Sequence, residues 1–254
     1  MELTLHHFTT ADGTRLVWRE LGEGRPLVLL HGLFSNAEVN WVKYGHAARI
    51  AAPVAEGGHR VIMPDLRGHG DSGAPHDPAC YPPDILARDV AELVAHMGLI
   101  DYDLGGFSLG ARTAVRCVIR GMKPRRLILG GMGLEGLAGM ATRGSFFRRA
   151  IAAHDSAKRG DDVWMAVQFM KTMKVDRVAA DLLLQSLVAT SPDALAVVTM
   201  PTLLVCGEQD QDNGSAEALA AALPDAHHVA VPGTHMSSVT FAAFGEAIAA
   251  FLRA

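Results

Sequence analysis

With 254 residues, 49% of them hydrophobic and 20% charged, the chain has enough apolar mass for one globular domain with its own core, or for a domain carrying an insertion. The formal net charge of −4 comes without a long run of one sign, which removes the electrostatic case for a nucleic-acid partner; the densest basic cluster, Arg143, Arg148 and Arg149, is interleaved with Phe146 and Phe147 as on the solvated face of a helix. The three cysteines, Cys80, Cys117 and Cys206, stand too far apart for a disulfide framework or a metal-ligand set, and Cys117 and Cys206 sit in apolar runs as core residues do.

The chain starts with a hairpin signal: residues 6–8, the turn Ala11-Asp12-Gly13-Thr14, then residues 15–21, which predicts an antiparallel start to a sheet. The first twelve residues lack the basic start and apolar stretch of a secretion signal, and no apolar run reaches the length of a membrane span, so the expected location is the cytoplasm, away from membranes. Short runs rich in Val, Ile and Leu follow at 26–30, 60–64, 101–106, 126–131, 202–207 and 227–231, each of strand length. Between them, 84–97 sets Ile85, Leu86, Val90, Leu93, Val94 and Met97 along one helical stripe, 111–119 follows the strand at 101–106, and 215–223 and 239–252 are Ala-rich and helical. This alternation is that of an α/β protein, a mostly parallel sheet covered on both faces. It breaks between 134 and 199, where only helical patches such as 162–174 and 181–188 occur. The predicted organisation is a core of 1–133 and 200–254 with a helical cap inserted at 134–199, hinged near 130–133 and 191–192.

The chemistry concentrates where strands end. Gly106-Phe107-Ser108-Leu109-Gly110 leads from a predicted strand into a predicted helix. A chain reversing that sharply strains the serine backbone, needs glycine on both sides, and leaves the hydroxyl exposed above the strand end. A serine hydroxyl is a poor nucleophile at neutral pH and needs a base, with a third group to hold the imidazole in the right tautomer. Of twelve histidines, His235 lies in the loop between the last strand and the last helix, at the same sheet edge as Ser108, whereas His227 and His228 begin a strand at the far end. Asp210, just past the strand at 202–207, is the predicted orienting acid, with Asp212 as its substitute and Glu208 also near. An oxyanion needs backbone donors. Leu109 N–H, freed at a helix start, is one; Leu33 N–H in the loop His31-Gly32-Leu33-Phe34-Ser35 is the other, with Phe34 in reserve. His31, in a tight turn beside Gly32, reads as structural.

At this point the sequence resembles the α/β-hydrolase superfamily over nearly its whole length. The likeness is carried by His31-Gly32-Leu33-Phe34, Pro64-Asp65-Leu66-Arg67-Gly68-His69-Gly70-Asp71-Ser72, Gly106-Phe107-Ser108-Leu109-Gly110, Gly207-Glu208-Gln209-Asp210 and Gly233-Thr234-His235, in the order Ser, Asp, His. The resemblance implies the α/β-hydrolase fold, with an eight-stranded, mostly parallel sheet, helices on both faces and a cap after the sixth strand. It makes the Asp65–Ser72 stretch a structural turn, in which Asp65, Arg67 and His69 only mimic a catalytic cluster. Haloalkane dehalogenases and epoxide hydrolases of this fold carry Asp at the elbow, so Ser108 argues against both. Small carboxylesterases, lactonases, carbon-carbon bond hydrolases of ring-cleavage pathways and cofactor-free perhydrolases are more similar.

The expected function is hydrolysis of a small carboxylic ester or lactone through an acyl-Ser108 intermediate, with no cofactor, no metal and a small-molecule substrate as the partner. The rivals are carbon-carbon cleavage of a dienoate, perhydrolysis, and a non-catalytic ligand receptor on the same fold. The pocket is expected to draw on Phe34, Met132, Phe146, Phe147, Trp164 and Met236. No obvious cationic anchor is visible in the site motifs, which favours uncharged or weakly charged substrates unless Arg112 or Arg143 enters the pocket.

Overall fold

In residues 27–30 consecutive side chains leave the backbone on opposite sides, as the period of two in a strand demands. Leu27 and Leu29 pack into one core, Val28 and Leu30 into another, and all four are fully buried. A computed structural model describes residues 2–52, 55 and 57–254 of the chain in this way, with the side chains of 140–143, and so that of Arg143, outside the described residues.

Eight strands, β1 (Thr4–Thr9), β2 (Arg15–Leu21), β3 (Arg25–Leu30), β4 (His59–Pro64), β5 (Asp103–Phe107), β6 (Leu127–Gly130), β7 (Thr202–Gly207) and β8 (Ala226–Val231), form one sheet in the order β1-β2-β4-β3-β5-β6-β7-β8. β1, β2 and β4 pair antiparallel, and every pair from β4 to β8 is parallel. The hairpin turn uses Gly13 at φ 87°, with Asp12 accepting from Thr10 Oγ1 and Thr14 N–H.

The helices in chain order are α1 (His46–Ile50), α2 (Ile85–His96), α3 (Leu109–Ile119), α4 (Leu134–Ala138), α5 (Met140–Ala152), α6 (Trp164–Thr172), α7 (Arg177–Ser186), α8 (Ala216–Ala222), α9 (His235–Ser238) and α10 (Ala242–Arg253). α2, α3 and α8 cover one face of the sheet, burying Leu86, Val90, Leu93, Val115 and Leu219 against Val28, Leu30, Leu104, Leu129 and Leu204. α1 and α10 cover the other, where Ile50, Phe244 and Ile248 meet Leu27, Leu29, Ile128 and Val205. Each fully buried side chain of this size contributes about 2 kcal/mol relative to exposure, so both faces stabilise the layer order strongly.

Three details differ from the sequence reading. α1 and the single π-turn before it, Glu38–Val42, are too short to show a helical period. α7 starts at Arg177 rather than 181, because Asp176 accepts from the N–H groups of Val178 and Ala179 and caps the helix there. The predicted helix 239–252 is α10, which starts only at Ala242 because Phe241 is extended, and the short α9 precedes the predicted span.

Residues 134–199 hold α4 to α7 and a short 3-10 turn at Pro192–Val197, with no strand among the described residues. Ala150, Val163, Val167, Met170 and Ala180 form a small separate core there around Phe34. α7 also sends Ala179 and Leu183 into the larger core on the α2–α3 face. Arg148 and Arg149 lie exposed on α5, reaching Asp181 and Asp162. Among the described residues no helix is long and apolar enough to cross a membrane.

Candidate active site

Ser108 sits between β5 and α3 at φ 53° and ψ −110°, a conformation that side chains other than hydrogen rarely adopt. The surroundings enforce it. Ser108 N–H donates to Gly130 O at 2.8 Å, a Cβ on Gly106 would strike the carbonyl carbon of Gly110, and a Cβ on Gly110 would strike the carbonyl oxygen of Leu30. Only glycine at both positions lets α3 start directly against the ends of β3 and β5.

His235 opens α9, just beyond β8. Thr234 and Ser237 form a reciprocal capping box over that helix start, with Thr234 N–H donating to Ser237 Oγ at 2.8 Å. Asp210 follows β7. The two loops are laced together by Glu208 N–H to Val231 O at 2.8 Å and Gln209 N–H to Gly233 O at 3.0 Å, which continue the β7–β8 pairing past the strand ends. A Cβ on Gly207 would strike Gly233 O, so glycine is needed for this approach.

The outcome is a continuous chain of bonds. Asp210 Oδ2 lies 2.9 Å from His235 Nδ1, and His235 Nε2 lies 3.0 Å from Ser108 Oγ. The side chains of His235 and Asp210 are 8% and 3% exposed, so little water competes. An ionised carboxylate only accepts, so Nδ1 carries the ring hydrogen and Nε2 is left to accept from the serine hydroxyl. The ring lies 4.9 Å from that of Phe107, and a Cβ on Gly131 would come within 3.1 Å of its Cε1. Of the three acids in the loop, Asp210 is the one whose carboxylate meets the ring; its other oxygen accepts from Asp212 N–H at 3.1 Å, so Asp212 enters through its backbone. His227 and His228 lie at the opposite end of β8, against Phe251 and Glu217.

Among the described residues, the N–H groups of Leu33 and Leu109 have no hydrogen-bond acceptor, and both residues border the cavity at Ser108. Phe34 N–H, by contrast, donates to His69 Nε2 at 3.0 Å, which removes it as an oxyanion donor. His31 Nε2 in turn accepts from Leu66 N–H at 2.9 Å. Each ring uses its Nδ1 on a main-chain oxygen, of Gly32 for His31 and of Arg67 for His69. The two loops thus exchange one imidazole each, and burial holds both rings neutral, that of His69 down to about 3. Asp65 accepts from Ala37 N–H, Asp71 N–H and Arg19, while Arg67 pairs with Asp89 and Asp12; both are joints of the scaffold.

A half-open cavity lies over Ser108. Leu33, Leu109, Met132, Phe147, Leu184 and Leu187 supply apolar wall, with Gly136, Asn213 and Arg112. Of the residues the sequence offered for a pocket, Met132 and Phe147 line this cavity. Four others do not. Phe34 is buried behind the wall, its ring edge-on to Phe147 at 5.5 Å, and it borders a separate polar cleft with His69 and Lys174. Phe146 packs at 5.2 Å against Phe147 and under Arg149, because adjacent helical residues point about 100° apart. The same rotation carries Met236 off the His235 side of α9 to 56% exposure. Trp164 is half-buried at the start of α6, outside the cavity wall. Asn213 and Leu184 carried no distinguishing signal, since an Asn in a polar loop and a Leu in an apolar stripe are ordinary; Asn213 is set by its bond to Gly131 O at 2.7 Å. The buried Arg112, one of the two arginines the sequence left open as a cationic anchor, lines the cavity.

The alpha/beta hydrolase family model matches residues 27–250. The chain belongs to the α/β-hydrolase family. Over 106 residues this α/β-hydrolase is 37% identical to the soluble epoxide hydrolase of Corynebacterium sp. (strain C12), covering 40% of this chain and 34% of that protein. Over 115 residues it is 35% identical to the non-heme haloperoxidase of Rhodococcus erythropolis, covering 44% of this chain and 38% of that protein. The match spans little more than a third of the length of these curated relatives. In fold it resembles the esterase (EaEST) from Exiguobacterium antarcticum, with a TM-score of 0.77 at 21% identity over 98% of this chain and 99% of that one.

Proposed function

We propose that this α/β-hydrolase cleaves a small carboxylic ester or lactone through an acyl-Ser108 intermediate. The reading rests chiefly on the two bonds of 2.9 and 3.0 Å that join Asp210 to His235 and His235 to Ser108. As Ser108 Oγ attacks the acyl carbonyl, His235 Nε2 takes its proton, and the Asp210 carboxylate stabilises the imidazolium. Leu33 and Leu109 N–H receive the oxyanion. The imidazolium then protonates the departing alkoxide. Water enters, gives a proton to His235 and attacks the acyl carbonyl, and the acid leaves with Ser108 restored.

Residues 134–199 act as the lid in this reading, since α4, α5 and α7 bring Gly136, Phe147 and Leu184 to the cavity. The apolar wall supports a short acyl group, and the serine at the elbow supports an ester-type intermediate. The test is fluorophosphonate labelling together with p-nitrophenyl acetate turnover. Label on Ser108 that is lost in both Ser108→Ala and His235→Ala supports the mechanism, and turnover that survives Ser108→Ala overturns it.

The similarity to a haloperoxidase favours one variant of the same scheme. An acyl-serine can pass its acyl group to hydrogen peroxide as well as to water, giving a peracid. Peracid formation from acetate and peroxide that disappears with Ser108→Ala would support it.

A further inference from the structure

Only two arginines are buried among the described residues, and they are treated differently. Arg67 is held by two carboxylates, with Nε and Nη2 on Asp89 at 2.9 and 2.7 Å and Nη1 on Asp12 at 2.6 Å. Arg112, 3% exposed, has no carboxylate within ion-pair distance among the described residues. Its Nη1 donates to Gly136 O at 2.7 Å and Leu137 O at 2.9 Å, and its Nη2 to Val188 O at 2.5 Å. Those carbonyls orient the guanidinium and satisfy three of its five N–H donors, but they carry no countercharge. Asp84, the acid whose field reaches it, is already gripped by Arg116 at 2.9 and 2.6 Å. Burial, reinforced by repulsion from Arg116, lowers the Arg112 pKa only to about 10, so the group is cationic at neutral pH.

The residue that carries this charge borders the cavity at Ser108. Arg112 lines it together with Ser108, Leu33 and Leu109, and none of the other lining residues is acidic or basic. A pocket made only for a neutral acyl group gains nothing from an unpaired cation in its wall, and an unpaired buried charge is costly to keep. We propose that the acyl group cleaved by this enzyme carries a carboxylate, and that Arg112, held by the carbonyls of 136, 137 and 188, is the residue that binds it. The class is the monoester of a short dicarboxylic acid, or the corresponding lactone acid. Arg112 lies four residues beyond Ser108, about one turn further along α3, so the two residues share one face of the helix start. The proposal deepens the hydrolase reading and rests on it for the reaction, but not for the binding.

Two measurements separate the two. In calorimetry, glutarate and its uncharged diamide are titrated into the wild-type protein and into Arg112→Gln. The expected result is at least tenfold tighter binding of glutarate than of the diamide by wild type, with that preference lost in the variant. Equal binding of the two by wild type, which needs no variant to fold, overturns the proposal whatever the catalytic activity. In kinetics, mono-p-nitrophenyl succinate is compared with p-nitrophenyl butyrate, which matches its acyl length. Wild type is expected to favour the succinate in kcat/KM, and Arg112→Gln to lower the ratio of the two values at least tenfold, with Arg112→Lys recovering part of it. A strap that only fastens α4 and residue 188 to α3 would lower both values and leave the ratio unmoved, and that result overturns the proposal. Absence of turnover on both esters, with glutarate still preferred, strikes the hydrolase reading and leaves Arg112 as an anion site.

Discussion

Asp210→Asn is the sharpest probe of the site, because it changes one atom's chemistry and almost no volume. The carboxylate accepts two bonds, from His235 Nδ1 at 2.9 Å and from Asp212 N–H at 3.1 Å, and its side chain is 3% exposed. An amide cannot satisfy both donors. With its oxygen toward His235, its NH2 confronts Asp212 N–H. Turned over, it donates to Nδ1 and drives the ring to the tautomer with hydrogen on Nε2, where it faces Ser108 Oγ and can no longer take the serine proton. Hydrogen bonds to a charged group are worth about 1.5–3 kcal/mol each, so the two together set about 3–6 kcal/mol, or roughly 10²–10⁴ in rate. The assay is kcat/KM on p-nitrophenyl acetate alongside the rate of fluorophosphonate labelling, with urea unfolding as the control for a lost fold. Turnover within threefold of wild type would refute the reasoning, and so would a larger loss in Asp212→Asn than in Asp210→Asn.

Gly110→Ala is expected to lower stability by about 3 kcal/mol or more in urea unfolding, since its Cβ would collide with the Leu30 carbonyl and force β3 and α3 apart; an unchanged midpoint would contradict this. Gly144→Ala, inside α5 where a Cβ meets nothing within 4 Å, should raise stability by up to about 1 kcal/mol in the same assay. Acid should destabilise the fold partly through His69, whose folded pKa of about 3 lies below the unfolded 6.5 because of burial and the adjacent His31. A depressed histidine means the unfolded chain binds more protons, so stability is complete above pH 6.5 and falls as the pH drops toward 3, by about 2 kcal/mol from this group at pH 5. His69→Gln should therefore lose less stability than wild type between pH 8 and pH 5, and equal losses would count against it.

The strands were legible because buried parallel strands are short, continuous apolar runs, and β7, predicted at 202–207, has those limits in the structure. The residues around Ser108 were legible for a related reason. A serine flanked by glycines at a strand-to-helix junction has few structural uses, and His235 and Asp210 each follow a strand whose carboxyl end reaches the same edge. The cavity wall was hidden. Which of two adjacent aromatics faces Ser108, Phe146 or Phe147, depends on the rotation of α5, and the apolar count alone does not set that rotation. Phe34 was misplaced because nothing in the string His31-Gly32-Leu33-Phe34 signals that its backbone turns left-handed, at φ 61°, and gives its amide to His69. The role proposed for Arg112 depends on the lack, among the described residues, of an acid paired with it, and only packing can establish that.

The exchange of rings between the loop after β3 and the Asp65–Ser72 turn makes the two stretches a single mechanical part. Neither can drift alone, because each would tear an amide from its acceptor inside a dry interior. Damage to the turn, none of whose residues lines the cavity at Ser108, would then surface as slack in the amide of Leu33, the proposed oxyanion donor.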